Sequence, residues 1–167
     1  AGLSREDLRA SCRAVREGEP GAVCEVATEL FPRGATCAGE ARLLEKLEAR
    51  VKQEGALQAK LVRCGALHTP LMAPAAPALR AALDDVLPRM RPPTCDVYMN
   101  CTGTPVFAGS SPTCFAPLLL RQVQEPVRWE SSVRNMIEAG VCDFYEVGPR
   151  MQLKSILKRI DASAHER

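Results

Sequence analysis

The chain has 167 residues, with 22 Lys and Arg against 20 Asp and Glu for a net charge of +2, and 46% of its residues are hydrophobic but only 4% aromatic. That length suits one domain or one and a half around a buried core. The near balance of charge argues against nucleic acid as a partner, which needs clustered Lys and Arg, and no apolar run approaches the ~20 residues of a membrane helix.

Taken in order, Ser4 and Asp7 have the spacing of a capping box, and Leu8, Cys12 and Val15 make the apolar stripe of a short helix. Gly18, Pro20 and Gly21 end it. Cys24, Val26, Thr28 and Leu30 then alternate with Glu25, Ala27 and Glu29, a strand with one buried face. After a turn at Phe31-Pro32-Arg33-Gly34, a helix is expected from about Glu40 to Glu54, with Leu44, Leu47 and Val51 inward. Ala59 to Arg63 read as a short strand leading into the bend Cys64-Gly65-Ala66, then Leu67 and His68. A long helix begins near Pro74 with Leu79, Ala82, Leu83 and Val86 on one face.

Pro88, Pro92 and Pro93 separate that helix from a strand, Cys95 to Asn100. Thr102 to Pro112 is a Gly, Ser, Thr and Pro-rich loop. Helices follow at Leu118 to Val123 and around Trp129, Val133, Met136 and Ile137. Val141 to Val147 read as a strand ended by Gly148-Pro149, and Leu153, Ile156, Leu157 and Ile160 mark a final amphipathic helix. The alternation of helices and strands implies crossovers and a mainly parallel sheet.

Of the two histidines, His68 sits at a strand-to-helix bend and His165 in a polar tail. A histidine in a cleft titrates near neutrality and suits a general base. None of the eight cysteines falls in a C-x-x-C pair, so no metal site is expected, and they read as buried, reduced thiols. The opening AGLSREDL shows no signal-peptide pattern, and no phosphate-binding loop or G-x-G-x-x-G suggests a nucleotide cofactor.

The segments GALHTPLMAPAAPAL, DVYMNCTGT, LLLRQVQEPVRWESSVRNMIEAGV and DFYEVGPRMQLKSILKRI, in that order, resemble the C-terminal part of the malonyl-CoA:acyl carrier protein transacylases, most closely the mitochondrial ones of animals. Arg121-Gln122, the following Trp129 and YEVGP carry the resemblance. It implies the C-terminal part of an acyltransferase α/β-hydrolase-like fold over residues 64–160. Residues 1–63 would form part of a small ferredoxin-like α+β subdomain without its first strand, and 161–167 a frayed tail.

For chemistry, the resemblance implies transfer of malonyl from malonyl-CoA through an acyl-serine to the phosphopantetheine thiol of acyl carrier protein, in fatty acid synthesis in the mitochondrial matrix and with no cofactor. His68 takes the place of the base, and Gln122 that of the glutamine whose main-chain carbonyl orients the histidine ring. Asn100 and Leu67 would lie beside the site. The family's G-x-S-x-G elbow is absent, since none of the serines has glycine at both −2 and +2. Four positions depart from the family pattern: Arg150 replaces the third glycine of G-P-G, Cys64 a serine, Leu67 a phenylalanine, and Thr28 an asparagine. The alternative is a catalytically inactive truncated homologue that binds acidic acyl carrier protein through Arg80, Arg89, Lys154, Lys158 or Arg159. A redox or metal protein built on the cysteines is a third, weaker reading.

Overall fold

In the computed structural model, which describes residues 1–165, the chain opens with a helix α1, Arg5–Val15. The Ser4 hydroxyl accepts the Asp7 N–H at 3.1 Å and donates to the Asp7 carboxylate at 2.6 Å, satisfying an amide that the first helical turn leaves unpaired. A hairpin follows, β1 (Cys24–Phe31) and β2 (Gly34–Gly39), paired antiparallel from Cys24 opposite Gly39 to Phe31 opposite Gly34. Gly34 is required there, because a Cβ would stand 1.9 Å from the Phe31 ring. Helix α2, Ala41–Gln53, then crosses the hairpin. Cys12, Cys24, Leu43, Leu47 and Val51 form the first core cluster.

The alternation expected of β1 holds only to Val26. A bulge between Val26 and Thr28 inverts the phase, so that Ala27 and Glu29 are buried and Thr28 and Leu30 are not. The inverted Glu29 meets Arg9 at 2.6 Å and Arg5 at 3.5 Å. Arg5 also holds buried Glu130 at 2.6 Å, and Glu130 pairs with Arg134 at 2.9 Å. This chain of charges ties α1 and β1 to helix α5, Trp129–Glu138, and desolvated carboxylates need such partners.

Beyond residue 55 the strand expectations are corrected. Ala59 to Arg63 take no regular structure, and of Cys95 to Asn100 only Val97–Tyr98 (β3) pairs. Its partner is Pro105–Val106 (β4), inside the stretch read as a loop. Val141 to Val147 are also irregular. The mainly parallel sheet is therefore not seen: among the described residues there are two two-stranded antiparallel sheets, and one parallel bridge joins Thr28 to Val127. Apart from β3, these stretches make no ladder with another strand among the described residues, and strand propensity without a paired neighbour gains none of the ladder's hydrogen bonds.

The helices match the periodicity better. A 3-10 turn at Pro70–Ala75 runs into α3, Ala76–Val86, which packs on α4, Phe115–Gln122, through Leu83, Ala116 and Leu120. Helices α5, α6 (Gln152–Ile160) and α7 (Ala162–His165) enclose Val133, Leu157, Ile160 and Ala164. The start of the tail is thus helical, while residues 166 and 167 lie outside the described residues. All eight cysteines are free, but only Cys12, Cys24 and Cys101 are buried and Cys37 half-buried. Cys64, Cys95, Cys114 and Cys142 are exposed, because the segments carrying them lie at the surface or remain unpaired.

Candidate active site

Helix α4 ends at Gln122, and the last carbonyls of a helix have no amide of their own turn to accept. Two of them meet His68. The His68 main-chain N–H donates to the Val123 carbonyl at 3.0 Å, and the ring nitrogen Nδ1 lies 2.6 Å from the Gln122 carbonyl oxygen. A carbonyl only accepts, so Nδ1 carries the hydrogen. In the neutral ring that leaves the lone pair on Nε2, to which no described residue bonds. The negative end of α4 also faces the ring.

His68 has φ +64° and is the one non-glycine among the described residues with positive φ. For a side chain with a Cβ that conformation costs about 1–3 kcal/mol and persists only where the surroundings over-determine it. The surroundings here are the two carbonyls on one side and Thr69 on the other. Thr69 is fully buried, donates its hydroxyl to the Ala66 carbonyl at 2.6 Å, and precedes the turn that opens with Pro70.

The connector that follows α4 ties together the other regions. Val127 exchanges bonds with β1, donating to Ala27 at 2.9 Å and accepting from Glu29 at 2.8 Å. One residue later, the Arg128 N–H donates to the Asn100 carbonyl at 2.7 Å. Asn100 therefore attaches to the connector by its main chain, and its side-chain Oδ1 is buried with no partner. The structure brings His68 and Gln122 into direct contact and joins Asn100 to the connector. Leu67 stays 51% exposed, and Arg150 is exposed. Thr28 is half-buried opposite Val127.

Two contributors to the site escaped the sequence reading. Val123 acts through its carbonyl and so leaves no side-chain signal. Thr69 was readable, since Thr before Pro is a helix-start pattern. Away from the site, the Glu146 carboxylate accepts the N–H groups of Gln152, Leu153 and Lys154, each at 3.0 Å, a cap the sequence reading also missed. It caps α6 from six to eight residues away, and these bonds, Leu153 first, hold its pKa below the usual carboxylate value. Of the proposed docking cations, Arg89 pairs with Asp85 at 3.0 Å and Arg159 lies over the Phe31 ring at 4.7 Å. No cluster of three or more metal-ligating side chains exists among the described residues.

No family model matches the chain. Individual proteins do. A malonyl CoA-acyl carrier protein transacylase of Haemophilus influenzae is 32% identical over 160 residues, covering 95% of this chain and 49% of that protein. A probable mitochondrial malonyl-CoA-acyl carrier protein transacylase of Drosophila melanogaster is 32% identical over 168 residues, covering 97% of this chain and 43% of its own length. Among solved structures, the Streptococcus pneumoniae MCAT superposes with a TM-score of 0.84 at 30% identity over 98% of this chain and 51% of that one. The chain spans about half the length of the curated relatives it matches. In sequence and in fold alike, it is similar to about half of a malonyl-CoA:acyl carrier protein transacylase.

Proposed function

We propose that this chain is the C-terminal half of a malonyl-CoA:acyl carrier protein transacylase of the mitochondrial type, acting in the mitochondrial matrix. A serine carried by the other half would be the nucleophile, and His68 its base. Nε2 takes the serine proton as the oxygen attacks the malonyl thioester, and returns it to the sulfur of coenzyme A as that leaves. In the second half-reaction the same nitrogen takes the proton of the phosphopantetheine thiol of acyl carrier protein and gives it back to the serine oxygen. Throughout, the Gln122 carbonyl accepts the Nδ1 hydrogen and so holds the productive tautomer.

The observation that carries this reading is the 2.6 Å contact between Nδ1 and the Gln122 carbonyl on a strained His68 backbone. Such a contact presents Nε2 outward with its lone pair free. The test is single-turnover acylation by malonyl-CoA in the longer protein that carries this segment. His68→Ala is expected to slow acylation by ~10²–10⁴-fold. Gln122→Ala should cost far less, because the acceptor is main chain. Gln122→Pro should be worse than Ala, since proline in the last turn removes a helical bond at a cost of about 3 kcal/mol. Equal damage from Gln122→Ala and His68→Ala would overturn the orienting role given to the carbonyl. The chain alone should take no acid-stable label from malonyl-CoA, and a stoichiometric label on any of its serines would refute the division of labour.

A further inference from the structure

Three thiols from three elements meet in the first core cluster: Cys12 of α1, Cys24 of β1 and Cys37 of β2. The hairpin register brings two of them together. Cys24 stands opposite Gly39 and Val26 opposite Cys37, so Cys24 and Cys37 are diagonal neighbours on the face that packs on α1. Cys12 links the two: its sulfur is 3.8 Å from that of Cys37 and in hydrogen-bonding contact with that of Cys24. Cys12 and Cys24 are 2% and 0% exposed, whereas Cys37 is half-buried. Cys24 is pushed up in pKa by its contact with Cys12 and then by burial. For Cys12 the lowering by Cys24 is the largest single effect, but Cys37 and burial together outweigh it. Thiols that keep their hydrogen are poor nucleophiles, so Cys37 is the sulfur of the three that an oxidant from solution engages first.

We infer that Cys37 and Cys12 form a redox pair, in which a hydroperoxide oxidises Cys37 and Cys12 resolves the product to a disulfide between β2 and α1. In the first step the Cys37 sulfur attacks one peroxide oxygen, the O–O bond breaks, water leaves, and Cys37 becomes a sulfenic acid. In the second the Cys12 sulfur displaces the sulfenic hydroxyl, which leaves as a second water with the Cys12 hydrogen. Two thiols and one hydrogen peroxide thus give one disulfide and two waters, the sulfur pair losing the two electrons that the peroxide gains. A disulfide needs ~2.05 Å between sulfurs, so the pair has to close by less than about 2 Å, within reach of a side-chain rotation at half-buried Cys37. Cys24 has no direct route to Cys37, because diagonal residues stand ~7–8 Å apart, beyond the usual span of a disulfide. A thiol reductant reverses the bridge, its own two thiols being oxidised as Cys12 and Cys37 regain their hydrogens. Arg9 already fastens α1 to β1 through Glu29; the oxidised form fastens it to β2 as well. This inference does not rest on the transacylase reading.

The test treats the native chain at low concentration with hydrogen peroxide, alkylates it, and digests it with trypsin without reduction. Arg13, Arg16 and Arg33 separate the three cysteines into different peptides, so mass spectrometry reads each pairing. A Cys12–Cys37 peptide pair short of two hydrogens is expected, in about tenfold or greater excess over any pairing with Cys24 and lost on adding dithiothreitol. Chain oxidised in guanidinium should give no such preference. In Cys12→Ala, Cys37 should stop at the sulfenic acid and be trapped by a 1,3-dione at about tenfold the wild-type yield. Cys37→Ser should leave Cys12 and Cys24 as thiols. Four results would each overturn the inference: Cys37 still a thiol once exposed Cys142 has been consumed, a Cys12–Cys24 bridge in excess, the same proportions of pairings in native and denatured chain, or equal trapping of Cys37 in wild type and folded Cys12→Ala. The first three are read on the wild-type chain and decide the matter even where the variant does not fold.

Discussion

Two stretches of this molecule are written alike and end differently. Residues 24–31, CEVATELF, form β1, whereas residues 141–147, VCDFYEV, form no ladder. β1 has β2 on one edge and Val127 on the other, and its Cys24 is fully buried. The second stretch has neither neighbour, and its Tyr145 and Val147 are 87% and 99% exposed. Strand propensity marks a segment able to pair, and pairing is supplied by other segments. The same holds for residues 59–63, which read as a strand and stay irregular beside the bare edge of β2.

The contrast is sharpest in the cores. Leu43, fully buried beneath β1, should lose about 2–5 kcal/mol of stability on change to Ala, since the removed atoms leave a cavity. Val147→Ala should stay within about 0.5 kcal/mol. Urea melts of both variants measure this, and a Val147→Ala penalty near that of Leu43→Ala would mean that residues 141–147 are packed in solution.

The next effect tests the polar side of β1. Glu29→Ala removes the acceptor of Arg9 and one partner of Arg5 and is expected to cost about 1–3 kcal/mol, in the range for charge-assisted bonds to a buried group. Glu29→Gln should lie between wild type and Ala. A neutral Glu29→Ala would show that α1 is held to β1 by apolar contacts alone.

A cysteine occurs in each stretch and provides a kinetic comparison. Cys24 is buried, and its thiol is raised in pKa first by its contact with Cys12 and then by burial. For Cys12 the largest single effect is the lowering by Cys24, but Cys37, 3.8 Å away, and burial together outweigh it and push the thiol up to about 12. Cys142 is exposed. Because the thiolate is the reactive form, iodoacetamide at pH 8 should label Cys142 at least about tenfold faster than Cys12 or Cys24, read by mass spectrometry of the native protein. Equal rates would contradict the packing around β1.

The smallest expected effect concerns the end of the unpaired stretch. Glu146 holds its proton less tightly in the folded chain than in the unfolded one, through the three amides it accepts. Its contribution is therefore present above the unfolded carboxylate pKa and is lost as pH falls through the lower, folded value. Glu146→Gln should flatten this acid limb, and fray only the first turn of α6 in exchange measurements. An unchanged acid limb would remove Glu146 as the cap.

These contrasts also explain what could be read from the residues alone. Helices were legible where one face and a cap sufficed: Ser4 with Asp7 start α1, and Leu157 and Ile160 mark the buried face of α6. Strands failed where the outcome depended on a distant neighbour. β2, GATCAG, has little strand character and forms because β1 is beside it. The inversion of Glu29 was equally hidden, because a bulge belongs to a pair of strands. At the site, His68 is legible from its place at a bend and, with Gln122, from the family resemblance, and the two meet at 2.6 Å. The positive φ of His68 and the Val123 carbonyl had no residue-type signal, since both are main-chain properties.

The acceptor on Nδ1 belongs to the peptide bond and so is common to all twenty amino acids. Selection acting on this contact sees whether α4 still ends beside His68 and is blind to the side chain at position 122. On the proposed role of His68, the bond itself sets no limit on which helix-compatible side chain stands at position 122, whereas position 68 must keep an imidazole. One bond thus joins a partner that any change of side chain at position 68 removes to one that survives every change at position 122 leaving the end of α4 in place.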